Sequence, residues 1–457
     1  MSKKRKFNVI SPIDGAVYIE RDYADDQEIE EKLAAAAASR SLWKTSSIEE
    51  RAQICLKAVE YLVSKAEEIG KEITVQMGRP LRYTPNEIKG GVQERAKYMI
   101  DIAESALKAV EIDSNRFITR EPLGTVLVLA PWNYPYLTSI NAIIPALMAG
   151  NTVVLKHSDQ TPLTAERYQE AFDFAGLPKG VFNYLHIDHD QVAAVIQDAR
   201  IDYIAFTGSV EGGEAVQSAI GKRFVSAGLE LGGKDPAYVR ADADVQNAVE
   251  NCVDGAFFNS GQSCCGIERI YVDQSIYNDF VQQFIALTKS YILGDPLHLD
   301  TQLGPMARFS GVIEVKRQIE QAIKKGAVRN IDFQGQVHGN YLFPEVLTNV
   351  DHGMDIMKEE TFGPVVGIMA VRSDEEAIEL MNDSHYGLTA SIWTNDLEKA
   401  VEIGNQLETG TVFMNRCDYL DPALAWTGVK NSGKGTTLSS VGYEVLTRPK
   451  SFHLKTI

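Results

Sequence analysis

Cysteine is scarce in this chain. Its five residues (Cys55, Cys252, Cys264, Cys265, Cys417) are scattered through 457 positions, too few and too dispersed for a disulfide framework, and no C-x-x-C pair suggests a zinc site. A reducing compartment and no metal are expected. Positive charge is also short: 45 basic against 62 acidic side chains give a formal charge of -17. That field repels nucleic acid and anionic membrane surfaces. No apolar run approaches the roughly 20 residues of a membrane-spanning helix, and no apolar segment of a signal peptide follows the basic run Lys3, Lys4, Arg5 and Lys6. That run reads as a solvated tail and the protein as cytoplasmic. Also missing are a G-x-G-x-x-G fingerprint, an internal repeat and a low-complexity linker.

What is present is enough apolar material, 44% of the residues, for two or three domains. Helical spacing predicts helices over residues 26–40, 46–73 and 85–110, the second opened by Ser47 and Glu50 as a capping box. Strands are expected at 116–120, and then at 124–130, 152–156, 181–187, 203–207 and 223–231, alternating with helices. This rhythm predicts right-handed βαβ units and a parallel sheet, whose ligands bind beyond the carboxyl ends of the strands. A second α/β rhythm starts near Asp235, with helices at 245–257, 276–291 and 315–325 and strands at 269–272 and 365–371.

Three motifs fall where chemistry is expected. Asn259-Ser260-Gly261-Gln262-Ser263-Cys264-Cys265 puts a thiol in a glycine-containing turn after a helix. Glu230-Leu231-Gly232-Gly233-Lys234 sets a carboxylate at the end of the last parallel strand. Pro131-Trp132-Asn133-Tyr134-Pro135 follows the first of those strands and offers an amide donor. Singly, these are a small core filler, a solvated strand-end acid and a helix cap. Together they make an acyl-transfer set of nucleophile, base and oxyanion donor.

With these motifs the chain resembles the aldehyde dehydrogenase superfamily, matching its PWN-x-P, ELGGK, GQ-x-C and E-x-FGP patterns, the last as Glu360-Thr361-Phe362-Gly363-Pro364. Glu230 and Cys264 also stand 34 residues apart, as the resemblance requires. The fold it implies is α/β and aldehyde-dehydrogenase-like. A parallel-sheet, Rossmann-type cofactor domain would span 1–111 and 125–231, an α/β catalytic domain 232–441, and a small β oligomerisation element 112–124 and 442–457. A homodimer or homotetramer follows.

The resemblance also implies roles. Cys264 rather than Cys265 is the nucleophile, Glu230 activates water, and Asn133 with the Cys264 backbone N–H holds the oxyanion. Trp132, Lys156, Asp159, Gly208, Ser209, Glu360 and Phe362 would bind the cofactor. A carboxylate at Asp159 favours NAD over NADP, although His157 and Ser158 could partly accommodate a phosphate and leave NADP possible. Tyr134, Asn141, Phe258, Tyr419 and Trp426 would line the pocket of a small aliphatic, amino or aromatic aldehyde.

The chain is similar to short bacterial succinate-semialdehyde dehydrogenases, which makes that activity the alternative. Yet Asn141 and Phe258 stand where many of those enzymes carry arginine, and Arg416 could substitute only if its loop turned inward. Thr437 stands where many relatives carry Glu, leaving Glu230 to act with water alone. A coenzyme-A-acylating dehydrogenase and a cysteine hydrolase without a redox step are the remaining alternatives.

Overall fold

The computed structural model describes residues 5–333, 335 and 339–455; Lys3 and Lys4 of the basic run and residues 456 and 457 lie outside them. The rest of that run is not a solvated tail. Lys6–Ile10 forms a strand paired antiparallel with Val17–Asp22, because Phe7 and Val9 alternate inward, while Arg5 pairs with Asp188 and Lys6 with Glu20.

The helical N-terminal region is more broken than its periodicity suggests. Asp26–Thr45 is followed by Ile48–Ser64 and Ala66–Met77, so the expected helix over 46–73 is interrupted at Lys65, whose N–H bonds back to both Tyr61 and Leu62. The tightened turn keeps Leu62 and Ile69 in one core. Ser47 Oγ accepts from the Glu50 N–H at 3.1 Å, the N-cap half of the expected box. The expected helix over 85–110 resolves into Thr84–Asn86, a π-helical turn Glu87–Val92, and Gln93–Ala106, before a strand at Val110–Asp113. A π turn carries an extra residue and commonly marks a functional site.

The parallel sheet forms as expected. Its order is Gly433–Lys434, Ser226–Glu230, Tyr203–Thr207, Thr125–Ala130, Thr152–His157, Phe182–Tyr184. The last five strands run parallel. Gly433–Lys434 arrives from far along the chain and pairs antiparallel with the Glu230 strand. Thr125–Ala130 and Thr152–His157 are buried throughout, as strands covered on both faces must be. Two strands are shorter than expected, at Phe182–Tyr184 and Ser226–Glu230.

A second sheet runs Val328–Arg329, Glu345–Thr348, Val365–Val371, Ile267–Asp273, Asp235–Val239, Thr389–Trp393, Thr411–Met414, parallel except at Val328–Arg329. A third joins Val110–Asp113, Arg116–Pro122 and Thr447–His453 antiparallel. Among the described residues, no helix is long and apolar enough to cross a membrane.

The topology decides where chemistry can sit. The strands ending at Ala130, His157, Thr207 and Glu230 are parallel neighbours, so Trp132 and Asn133, Lys156 and Asp159, Gly208 and Ser209, and Glu230 itself emerge at one edge of one sheet.

Candidate active site

The nucleophile turn is built from backbone that few side chains tolerate. Asn259, Ser260 and Gly261 follow one another in the left-handed region, at φ of 53°, 54° and 71°. Strain of this kind persists only where the surroundings fix it, and here they do. Gln262 donates to the Asn259 carbonyl and accepts from the Ala307 N–H, both at 2.9 Å, and Ser260 Oγ donates to the Gly304 carbonyl at 2.9 Å. A side chain at Gly261 would run into the Gly363 carbonyl, so this glycine lets the cysteine turn pack on the Glu360–Pro364 loop.

Asn133 is buried against the same turn. Its Nδ2 donates to the Gln262 carbonyl, and its own carbonyl accepts from Asn259 Nδ2, both at 3.2 Å. The loop carrying Asn133 is fixed from behind by Glu87, whose Oε1 accepts the Tyr136 and Leu137 N–H groups at 2.8 and 3.0 Å. Those donors are the free N–H groups at the start of helix Pro135–Met148, where a carboxylate is favoured. Arg79 pairs with the other Glu87 oxygen, with both side chains buried.

Cys264 and Glu230 open onto a common cavity of about 410 Å³, which Tyr134, Asn141, Phe258, Tyr419 and Trp426 also line. Cys264 is half-buried. Cys265 also lines the cavity but is buried, and it donates to Asp418 Oδ1 at 2.9 Å, where Ser263 Oγ also donates at 2.9 Å. Burial holds the Asp418 carboxyl up at about 6 against those two donors.

Glu230 is surrounded by protein except on its cavity side. Desolvation raises its pKa, opposed by hydrogen bonds from Thr437 and Thr207 and by the field of Arg95. Thr437 Oγ1 donates to Oε1 at 2.5 Å and Thr207 Oγ1 to Oε2 at 3.1 Å. A carboxylate shifted upward yet held by two donors suits general-base work near neutral pH.

A separate groove of about 500 Å³ contains Ser209 and Glu360. Ser209 Oγ accepts from the Gly212 N–H at 3.1 Å and caps helix Val210–Ile220, an N-terminus suited to a phosphate. Glu360 accepts from the Gly233 N–H at 3.2 Å, and its pKa rises to about 8, mainly through burial and then through the charge of Glu268. At neutral pH it is thus largely a neutral acid. Trp132 and Phe362 meet edge to face at 5.7 Å. At the end of its strand, Lys156 lies 3.1 Å from Asp159 Oδ1, while Tyr23 Oη donates to Oδ2 at 2.7 Å. This donor and acceptor set fits a dinucleotide, with a carboxylate for ribose hydroxyls at one end, a helix start for pyrophosphate, and an aromatic pair at the other.

The loop joining the two sites hangs on one buried acid. Glu268 accepts from Lys234 Nζ at 2.6 Å and from the Thr361 and Phe362 N–H groups at 2.7 and 2.9 Å.

A family model described as the aldehyde dehydrogenase family matches residues 1–452. The chain belongs to the aldehyde dehydrogenase family. It is 37% identical over 445 residues to an aldehyde dehydrogenase of Paenarthrobacter nicotinovorans, covering 95% of this chain and 96% of that one. It is 36% identical over 441 residues to a succinate semialdehyde dehydrogenase [NAD(P)+] of Escherichia coli K12, covering 95% and 94%. The fold matches a solved succinic semialdehyde dehydrogenase of Streptococcus pyogenes in complex with NADP+, with a TM-score of 0.94 and 29% identity over 98% of this chain and 100% of that one. The enzyme is accordingly an NAD(P)-dependent oxidoreductase of aldehydes with the α/β fold of that family.

Most residues singled out in the sequence of this aldehyde dehydrogenase gather in the two sites just described. Two expectations change. Arg416 does not reach the cavity; it is exposed and stacks over the Tyr419 ring at 4.0 Å. His157 gives a phosphate no charge. Its ring is buried between the Pro135 carbonyl and Thr161 Oγ1, both at 3.1 Å, and burial lowers its pKa to about 4, so it is neutral at physiological pH. Thr437, to which the sequence assigns no acid or base role, donates its hydroxyl to Glu230. Sequence reading also missed Tyr23, Glu87, Arg79, Arg95 and Asp418, and the contact of Thr207 with Glu230. Arg95 left a trace: it interrupts the apolar stripe of Ala96, Met99 and Ala103 on its helix, and a charge on a buried face needs a reason.

Proposed function

We propose that this aldehyde dehydrogenase oxidises a small aldehyde to its acid through a covalent thioester on Cys264. The Cys264 thiolate adds to the aldehyde carbon, and the oxyanion so formed is held by the Asn133 amide and the Cys264 backbone N–H. When bound, the nicotinamide supplies the hydride acceptor; Trp132, Lys156, Asp159, Gly208, Ser209, Glu360 and Phe362 would hold the dinucleotide. Glu230 takes a proton from water as the water oxygen attacks the thioester carbon. The C–S bond breaks, the acid departs and the thiolate is restored.

The observation that carries this reading is the single cavity onto which Cys264 and Glu230 both open, with Asn133 packed against the cysteine turn. The test is NADH formation from an aldehyde panel by the wild type and by Cys264→Ala. Turnover that disappears in the variant, by roughly 10⁴-fold or more, supports it; persistent turnover assigns the nucleophile elsewhere. The carboxylate at Glu230 favours water over coenzyme A as the thioester acceptor, so coenzyme A should not accelerate turnover.

Asp159, engaged by Tyr23 and Lys156, favours NAD over NADP by repelling a 2′-phosphate. We assign 1–111 and 125–231 to cofactor binding, 232–441 to catalysis, and 112–124 with 442–457 to oligomerisation as a homodimer or homotetramer. The three-stranded sheet supports the last assignment, since its strand Val110–Asp113 is exposed along its whole length and such edges are usually covered. Five free cysteines fit a cytoplasmic setting.

A further inference from the structure

Two arginines, Arg79 and Arg95, line the substrate cavity, and the catalytic steps above use neither. Arg95, on helix Gln93–Ala106, lines the cavity that holds Cys264 and Glu230. It is only 8% exposed. A guanidinium so deeply placed is normally matched by a carboxylate, as Arg79 is by Glu87. Among the described residues, Arg95 has no such match. Its hydrogen bonds both come from Nη1, to the Leu137 carbonyl at 3.1 Å and to Asn141 Oδ1 at 3.4 Å. Nε and Nη2, the edge of the planar fork that grips a carboxylate with two parallel bonds, are left without a protein partner.

The contact with Asn141 gives this geometry its meaning. Asn141 stands where a substrate-binding arginine was expected and is missing, and the structure brings a guanidinium from a different helix to that same amide. Glu230 and Glu87 act on Arg95 only through space, because Glu230 accepts from Thr437 and Thr207 and Glu87 from Tyr136, Leu137 and Arg79. Glu94 is exposed, where solvent screens it, and the Tyr419 hydroxyl already donates to it at 2.6 Å; the Asp254 carboxyl is pushed up by burial and, among the described residues, forms no ion pair with Arg95. Asp418 is taken up by Ser263 and Cys265.

We propose that Arg95 reads the far end of the aldehyde, pairing its free guanidinium edge with an anionic carboxylate, so that the preferred substrates are short ω-carboxy aldehydes. The inference rests on the Cys264 chemistry proposed above and adds the substrate class. The guanidinium supplies the charge and the fork, and Asn141 fixes its orientation.

The test compares kcat/KM for succinic semialdehyde, butanal and ω-aminobutanal in the wild type, Arg95→Met and Arg95→Lys. Removing one partner of a buried charge pair costs about 2–5 kcal/mol. The preference for the semialdehyde over butanal should therefore fall by about 100-fold in Arg95→Met, equivalent to about 2.7 kcal/mol, and by less in Arg95→Lys, which keeps the charge and loses the fork. An unchanged preference in either variant overturns the proposal, as does a wild type that prefers ω-aminobutanal. Calorimetric binding of succinate, weakened at least about tenfold in Arg95→Lys, provides a readout without turnover and applies if Arg95→Met fails to fold; equal binding counts against the proposal. Failure of the parent reading looks different, since no aldehyde, charged or neutral, would then yield NADH.

Discussion

Replacing Thr437 with valine removes one hydroxyl from the general base and little else. The Thr437 side chain donates to Glu230 Oε1 at 2.5 Å. Its backbone, by contrast, exchanges two hydrogen bonds with Trp426 at 2.9 Å, which valine retains. Burial already raises the Glu230 pKa, and the Thr437 hydrogen bond is the largest influence holding it down. A hydrogen bond to a charged group contributes about 1.5–3 kcal/mol net, so its loss favours the protonated acid and moves the acid limb of kcat upward by about one to two pH units. The sign follows from the role: the base works only as a carboxylate, so activity is gained as pH rises through the limb. At pH values below the wild-type limb, Thr437→Val should be slower by about 10-fold to 100-fold, and well above the new limb the two enzymes should converge. The assay is NADH release across the pH range, together with stopped-flow kinetics, in which slow deacylation shows as a burst. A limb that stays in place or moves to lower pH refutes the argument, and an equal loss at every pH would make Thr437 structural.

Two further outcomes follow from the geometry. Lys234→Met leaves the Glu268 carboxylate buried without its cation, and with it the anchor of the Thr361–Phe362 backbone; the expected loss is about 3–5 kcal/mol, read as a lowered midpoint in denaturant, and an unchanged midpoint contradicts it. Asp159→Ser removes the carboxylate that repels a 2′-phosphate while leaving Lys156 free of its partner, so kcat/KM with NADP should rise at least about tenfold relative to NAD; an unchanged ratio means the ribose end lies elsewhere.

The catalytic motifs could be read from the sequence because each is local. A strand, a turn and its glycines lie within a few residues of one another around Asn133, Glu230 and Cys264, and strand order alone places the first two on one edge. Long-range geometry was not legible. Glu87 holds the Asn133 loop from a π turn far upstream, Thr437 reaches Glu230 through a segment that joins the sheet antiparallel, and Tyr23 meets Asp159 from the N-terminal region. Each depends on which face of one element meets another, which periodicity does not specify. The strands at Asp235–Val239, Glu345–Thr348 and Thr389–Trp393 escaped notice for a related reason: as short buried runs between loops they carry no alternation. The misplaced expectation at His157 was electrostatic, since nothing in its neighbours along the chain reveals that the ring is sealed from solvent.

A thioester on Cys264, released by water that Glu230 directs, leaves a trace in mass. Intact-mass and peptide mapping of Glu230→Gln mixed with aldehyde and NAD tests both halves together. The expected result is a rapid burst of NADH, little further turnover, and an acyl group on the peptide bearing Cys264, placed by fragmentation on that residue and not on Cys265. Steady turnover without an adduct, or an acyl group on Cys265 or Cys417, would contradict it.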